Sequence, residues 1–323
     1  MIRSLILSLM LLQCVGCVSE SEKSNPKVLR IMATSSVLAD GGWGHWMADE
    51  FKKKTGTTIE WMEVSGSGAL LAKLGMLRLR PDALPDAVLG VHASDVERLH
   101  QLEVLYDPKA WPEFPLASWT PGHIQEKRWL PYSLAIYTWM ADLENLKKRS
   151  LPLPTSLHDF QKPQYKKQWI VEDARTSAPG AALKAWEKME NISLNKGTHA
   201  FAVSGSWSEA YPLFVEGKAP LVWSYLSSEA YHRTEEEKDS KQSRFRAVYL
   251  KEGAPIEWEG MLWTTHASEC EKICREFEKW IVSETVQEQI PDKLWTYPAR
   301  AVALPKSFRE VKHPQKLFEL GGS

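Results

Sequence analysis

The sequence predicts an α/β protein built on parallel sheet, and three observations carry that expectation. Short apolar strands alternate with helices through the first hundred residues. Small-residue turns join strand to helix in both halves of the chain, at Ser65–Gly68 and at Glu172–Gly180. A long apolar run, Leu130–Met140, suits a strand crossing between two bodies. An alternation of strand and helix implies a parallel sheet, with ligands expected at the carboxyl ends of its strands.

Taken in order, Val28–Met32 reads as a strand ending in the small polar turn Ala33–Ser36. His45–Lys54 is a helix with Trp46 and Phe51 inward, stopped at Gly56. Ile59–Val64 is the next strand, leading through Ser65–Gly68 into a helix over Ala69–Arg80. Asp86–Gly90 is a third strand, followed by a helix from Ser94. In the second half, Trp169–Val171 is a strand, and a helix starts from Ala181. Ser206 with Glu209 has the spacing of a capping box, which places Trp207 in the first turn of a helix. Gly217 ends that helix, Pro220–Tyr225 is a strand, and Arg246–Leu250 is another. An amphipathic helical region from Cys270 to Ile290 leads to a turn carrying Trp295 and Tyr297.

The two strand-to-helix turns offer backbone N–H groups at helix starts, which suits an anion. Neither has the Gly-Lys-Ser/Thr of a phosphate-binding loop nor a third dinucleotide glycine, so a plain turn is the competing reading. Trp207, Tyr225 and Tyr231 sit at junctions where a ligand box is built, although Trp207, Ala210, Tyr211 and Phe214 also read as a core stripe.

Composition narrows the class. The chain has 323 residues, which suggests about two domains. Its hydrophobic fraction of 43% supports real cores, and its net charge of -1 lacks the basic footprint of a nucleic-acid binder. Fifteen tryptophans favour aromatic ligand surfaces. Arg3, the apolar run Leu5–Leu12 and Gly16-Cys17 read as a secretory signal, too short to span as a mature helix. It resembles a bacterial lipoprotein signal over residues 1–17 ending at the lipidated Cys, which implies cleavage before Cys17 and lipidation of that new N-terminal residue, with residues 18–27 as a tether. Cys270 and Cys274 stand as a disulfide or a free pair rather than a metal site, since no further ligands sit nearby. No His-Glu-x-x-His or Gly-x-Ser-x-Gly arrangement points to catalysis.

Four blocks then carry a resemblance: Glu172–Gly180, Trp207-Ser-Glu-Ala-Tyr211, Ser224-Tyr225 with Ala230-Tyr231-His232, and Trp295-Thr-Tyr-Pro298. Together they resemble the thiamine-binding periplasmic proteins of bacterial ABC importers over most of residues 28–305. The resemblance implies a type II periplasmic-binding fold, two α/β lobes with a hinge and a ligand cleft between them. Residues 28–126 with 253–300 are expected in one lobe and 127–252 in the other, leaving 301–323 as a C-terminal tail. It implies a monomeric, lipid-anchored protein on the periplasmic side, with no cofactor or metal, delivering thiamine or its phosphate esters to a membrane permease.

By that similarity Trp207, Tyr225, Tyr231 and Trp295 would line the cleft. Aromatic faces attract the thiazolium cation at about 0.5–2 kcal/mol per contact. Ser67 and Gly68 on one side, and Thr176 and Ser177 on the other, would take the hydroxyethyl or phosphate end. The chain also departs from the family. Thr34 and Ser35 stand where it carries an aromatic and an acid, Ser67 replaces an acid, and Pro131-Tyr132-Ser133 lacks one. Trp43 is the candidate to replace the missing aromatic. Fewer carboxylates would favour a phosphate ester or neutral ligand over free thiamine. Competing readings are a receptor for an anion or polyamine, and a thiamine-degrading enzyme using a cysteine nucleophile.

Overall fold

The computed structural model describes residues 28–106, 108, 110–117, 129–236 and 243–320. Cys17 and the tether therefore lie outside the described residues. The chain runs β1 (Val28–Thr34), α1 (Trp43–Thr55), β2 (Thr58–Val64), α2 (Ser67–Leu77), β3 (Ala87–His92), α3 (Val96–His100) and β4 (Leu105–Tyr106). The long β5 (Leu130–Asp142) leads to α4 (Leu143–Lys148), β6 (Trp169–Glu172), α5 (Ala178–Met189), α6 (Lys196–His199), β7 (Ala202–Ser204), α7 (Trp207–Val215), β8 (Leu221–Tyr225) and α8 (Ser227–Glu236). Then come β9 (Phe245–Val248), β10 (Ala254–Thr264), α9 (Glu271–Ile281), α10 (Glu284–Gln287), α11 (Ile290–Lys293), β11 (Tyr297–Pro298), α12 (Lys306–Arg309) and β12 (Leu317–Glu319).

The sheet order is β2-β1-β3-β10-β5-β8-β6-β7. The parallel trio β2-β1-β3 belongs to one lobe and the parallel trio β8-β6-β7 to the other. Between them β5 and β10 run antiparallel. Up to Ile136, β5 pairs with β10, and from Tyr137 onward it pairs with β8 and β9. The crossing strand of the sequence reading is thus the shared strand of both lobes.

Covered sheets demand apolar residues on both faces, and β1 shows it. Leu29, Ile31 and Ala33 pack with Phe51 of α1 and Phe277 of α9, while Met32 faces a second core with Leu70 and Leu74 of α2. A third core gathers Trp139, Phe160, Trp169, Trp186 and Trp223 in the other lobe. Residues 301–320 pack onto the body: β12 pairs with β10, and Phe318 packs 5.9 Å from Trp186.

Three local expectations are refined. Gly56 and Gly217 do end α1 and α7 in the left-handed region, at φ 74° and 77°. The reciprocal capping box of α7 does not form. The Glu209 carboxylate instead accepts from Gly205 N–H at 2.8 Å, one residue earlier, and Ser206 Oγ bonds Ser208 Oγ. Cys270 and Cys274 are joined as a disulfide at the start of α9, so neither is a thiol in this structure.

The strand β10 has no counterpart in the sequence reading. Glu257 and Glu259 interrupt its apolar pattern, yet all eleven of its residues are buried. It bulges at Gly260, where an added Cβ would lie 2.3 Å from the Trp129 ring and 2.5 Å from the Leu130 carbonyl oxygen. Overpacking of this kind costs about 1–3 kcal/mol. Gly260→Ala is therefore expected to lower the urea-unfolding free energy by that amount with an unchanged denaturant slope.

Candidate functional site: the interlobe cleft

Two strand-to-helix turns face each other. On one side the chain leaves β2 through Ser65 and Gly66 and enters α2 at Ser67, with Ser35 Oγ donating to the Ser65 carbonyl at 3.2 Å. On the other it leaves β6 at Glu172 and enters α5 at Ala178, with Ser177 as N-cap. A Cβ on Gly68 would stand 3.6 Å from the Arg175 carbonyl oxygen, so the two turns meet across the cleft and the lobes are closed. First-turn N–H groups lack intrahelical acceptors and favour negative charge. The hydroxyl of Ser177 makes no cap bond, whereas Thr176 Oγ1 donates to the Gly205 carbonyl at 2.7 Å. Asp173 beside them is held down to about 2 by the Arg175 guanidinium, whose Nη2 lies 2.5 Å from its carboxylate.

The aromatics divide into two groups. Trp207 begins α7, and its indole N–H donates to Ser224 Oγ at 2.8 Å. Its ring stacks on Tyr211 at 4.7 Å and meets Tyr225 edge-on at 5.8 Å. Tyr225, at the end of β8, lies 5.3 Å from Tyr137 of the crossing strand. The second group joins the lobes: Tyr231 of α8 and Trp295 after α11 form a T-shaped pair at 5.0 Å. Tyr231 is 41% exposed, and Trp295 holds a left-handed φ of 56°, a costly conformation for a large side chain. Tyr211 and His232 link the groups through a 2.9 Å hydrogen bond. The core-stripe reading holds for Ala210, Tyr211 and Phe214, which are buried, while Trp207 is only partly covered.

Two expected contributors from the first lobe turn inward. Trp43 is wholly buried and stacks on Tyr132 at 4.9 Å, so it backs the hinge and does not replace an aromatic on the cleft surface. Its place near the start of α1 puts the ring on the core face of that helix. Thr34 is also buried, its hydroxyl bonded to Ser36 Oγ at 2.9 Å and packed against the close approach of Gly90. Ser35 alone remains at the turn.

The expectation of few carboxylates is overturned. Glu257 and Glu259 of β10 are buried at the hinge. Glu259 accepts from Tyr132 OH at 2.8 Å and Ser133 Oγ at 3.3 Å, and Glu257 accepts from Tyr137 OH at 3.3 Å and from Ser94. Burial, then these carboxylates, push the Tyr132 and Tyr137 hydroxyls well above their ordinary range. Glu172, at the end of β6, is the third. Its side chain is wholly buried, and neither carboxylate oxygen has a hydrogen-bond partner outside its own residue. Burial pushes it up to about 8. All three acids act on Tyr225, whose hydroxyl is raised first by burial and then by Glu172, Glu259 and Glu257. The sequence reading did not bring them together because they lie on two strands about 85 residues apart, Glu172 on β6 and the other two on β10. The usable signal was an acid inside or directly after an apolar strand.

The site therefore combines flat aromatic walls, buried acid and two helix starts, which suits a planar cation carrying a polar or anionic end. Among the described residues no group of His, Cys, Asp and Glu is placed to hold a metal ion.

Glu172 also makes stability depend on pH. Its carboxyl ionises near 4.5 when unfolded and near 8 when folded, so the unfolded state binds fewer protons between those values. Stability is then lost as pH rises through that window, by up to about 5 kcal/mol at roughly 1.4 kcal/mol per unit. Glu172→Gln is expected to raise the thermal midpoint of the unliganded protein at pH above about 8 and to leave it unchanged near pH 4. Melting curves across pH check both arms.

Residues 82–320 match the family model described as bacterial extracellular solute-binding protein. The thiamine-binding periplasmic protein of Salmonella typhimurium is 29% identical over 300 residues, covering 90% of this chain and 87% of that one. The protein of the same name from Escherichia coli is 27% identical over the same share of each. Among solved structures, a periplasmic thiamin binding protein superposes with a TM-score of 0.79 at 26% identity, covering 90% of this chain and 89% of its own. A ferric binding protein from Campylobacter jejuni shares the fold at a TM-score of 0.69 and 16% identity, covering 89% of this chain and 93% of its own. With its two lobes, crossing strands and interlobe cleft, the chain is a type II periplasmic-binding protein and belongs to the bacterial extracellular solute-binding proteins.

Proposed function

We propose that this protein binds thiamine or a thiamine phosphate in the cleft between its lobes and hands it to the permease of an ABC importer. The observation that carries the reading is the placement of Trp207 and Tyr225 beside buried acid at the ends of β6 and β8. Relatives named for thiamine binding support the same ligand. An aromatic face attracts an organic cation without a fixed counter-ion, and exclusion of water strengthens that attraction.

In this reading Trp207, Tyr225, Tyr231 and Trp295 wall the ring system. Ser67 and Gly68 at the start of α2, with Ser177 at the start of α5, receive the hydroxyethyl or phosphate end. Thr176 holds the turn by its bond to Gly205 and offers the ligand only its lone pairs. Closure pairs Tyr231 with Trp295 and sets Gly68 against Arg175, so ligand bound to both lobes favours the closed shape that a permease reads. Lobe one comprises residues 28–126 and 253–300, and lobe two residues 127–252. The working unit is a monomer tethered at the periplasmic side by lipid on Cys17.

Titration of the soluble body with thiamine, its monophosphate and its pyrophosphate, followed by tryptophan fluorescence, tests the reading. Saturation at micromolar concentrations is expected, and no saturable change with any of the three would overturn it. Trp207→Ala and Tyr231→Ala are each expected to weaken binding at least tenfold, about 1.4 kcal/mol. Conversion of the ligand during incubation would point to an enzyme instead. For the anchor, Cys17→Ser is expected to move the protein from the detergent phase to the aqueous phase on partitioning.

A further inference from the structure

Among the described residues, the Glu172 carboxyl is a buried, unmatched acid beside the cleft aromatics. It ends β6, whose pairing with β8 runs Trp169 to Leu221 and Ile170 to Val222, so Glu172 falls beside Ser224 two residues on. On its other side it pairs with Ser204 of β7. Alternation along β6 sends Ile170 to the core shared with α7, and Glu172 has the same parity. It therefore lies on the face where Trp207 reaches Ser224.

The surrounding ionisable groups have other partners. On α7, Glu209 is bonded to Gly205 N–H and Tyr211 to His232. In its own turn, Asp173 is paired with Arg175. The opposite face is covered by Ala182, Leu183 and Trp186 of α5. That helix carries Lys184, Lys188 and Glu187, of which Glu187 is bonded to Lys196. On β8 the neighbour is Tyr225, with Glu257 and Glu259 of β10 beyond it, each holding its own hydroxyl donors. No cation serves Glu172 within this set.

A buried carboxyl unmatched by any other residue is costly in either protonation state, since the acid lacks an acceptor for its proton and the anion has no donor beyond its own backbone N–H and no counter-charge. The balance changes when a cationic guest fills the cleft. We propose that Glu172 is the counter-charge for a cationic ligand, held protonated in the empty site and ionised when the cation binds. The proton leaves to solvent as the ligand enters, so uptake of one cation releases one proton and the buried charge stays balanced. Being held near 8 when unliganded, Glu172 has a proton to release at neutral pH. The site then selects cationic over neutral ring systems, and its affinity rises with pH until the carboxyl is already ionised.

The inference rests on the thiamine reading, and calorimetry separates the two. Thiamine is the probe because its thiazolium charge does not titrate. Heats measured near pH 7 in two buffers of different ionisation enthalpy give the protons exchanged per ligand bound. The wild type is expected to release about one proton, with affinity improving up to tenfold per pH unit below about pH 8 and levelling above it. Glu172→Gln is expected to release none, to bind at least tenfold more weakly and to lose the pH slope. Thiamine binding by the wild type without proton release would overturn the role of Glu172 and leave the thiamine reading intact. Absence of thiamine binding would overturn both. The wild-type proton count decides the matter even where the variant fails to fold.

Discussion

The antiparallel pairing of β5 with β10 is the constraint on which the rest of the molecule depends. From Ile136–Ile256 to Leu130–Met261 the two strands run together through the hinge, and each then joins a parallel sheet in its own lobe. Their residues are buried throughout, so the pair carries acids only where donors reach them. Tyr132, Ser133, Tyr137 and Ser94 supply those donors. A buried carboxylate that accepts several hydrogen bonds holds its neighbours in place, because losing one donor costs the full desolvation of what remains. The hinge is thereby rigid in cross-section, and the lobes meet in one register.

That register decides what the cleft contains. With β6 and β8 side by side, their last residues bring Glu172, Ser224 and Tyr225 to one end of the sheet, and the start of α7 sets Trp207 over them. Residues from distant stretches become neighbours through strand pairing alone. The aromatic and acidic parts are complementary: rings attract a cation weakly and without direction, while a desolvated carboxylate is strong only when the cation is present. The first group gives tolerance of shape, and the second gives dependence on charge. Helix starts across the cleft address the other end of the same molecule.

Much of this was legible locally. Strand-helix alternation, the stop at Gly56 and the position of Trp207 follow from periodicity and from the conformational freedom of glycine. β10 is hidden because Glu257 and Glu259 interrupt its apolar run, while donors on β5 and beside β3 let them sit in the interior. Trp43 was misplaced for the converse reason: a tryptophan near a small polar turn looks available to ligand, and only the packing of α1 shows its ring against Tyr132. The capping box of α7 slipped by one residue because the helix-entry backbone gave Gly205 N–H to Glu209 first.

The chain by itself determined its class, its strand-helix rhythm, the tryptophan and tyrosines at the ends of its second-half elements, and the two helix-start turns. These rest on nearest-neighbour physics: dihedral preference, capping and the period of apolar residues. The tertiary structure alone decided the electrostatic character of the cleft. Whether an acid is a solvated surface group or a buried one raised to about 8 depends on what excludes water from it, and for Glu172 that exclusion is assembled from β7, β8 and α7. Burial is a property of the assembled neighbours, so no window of sequence contains it.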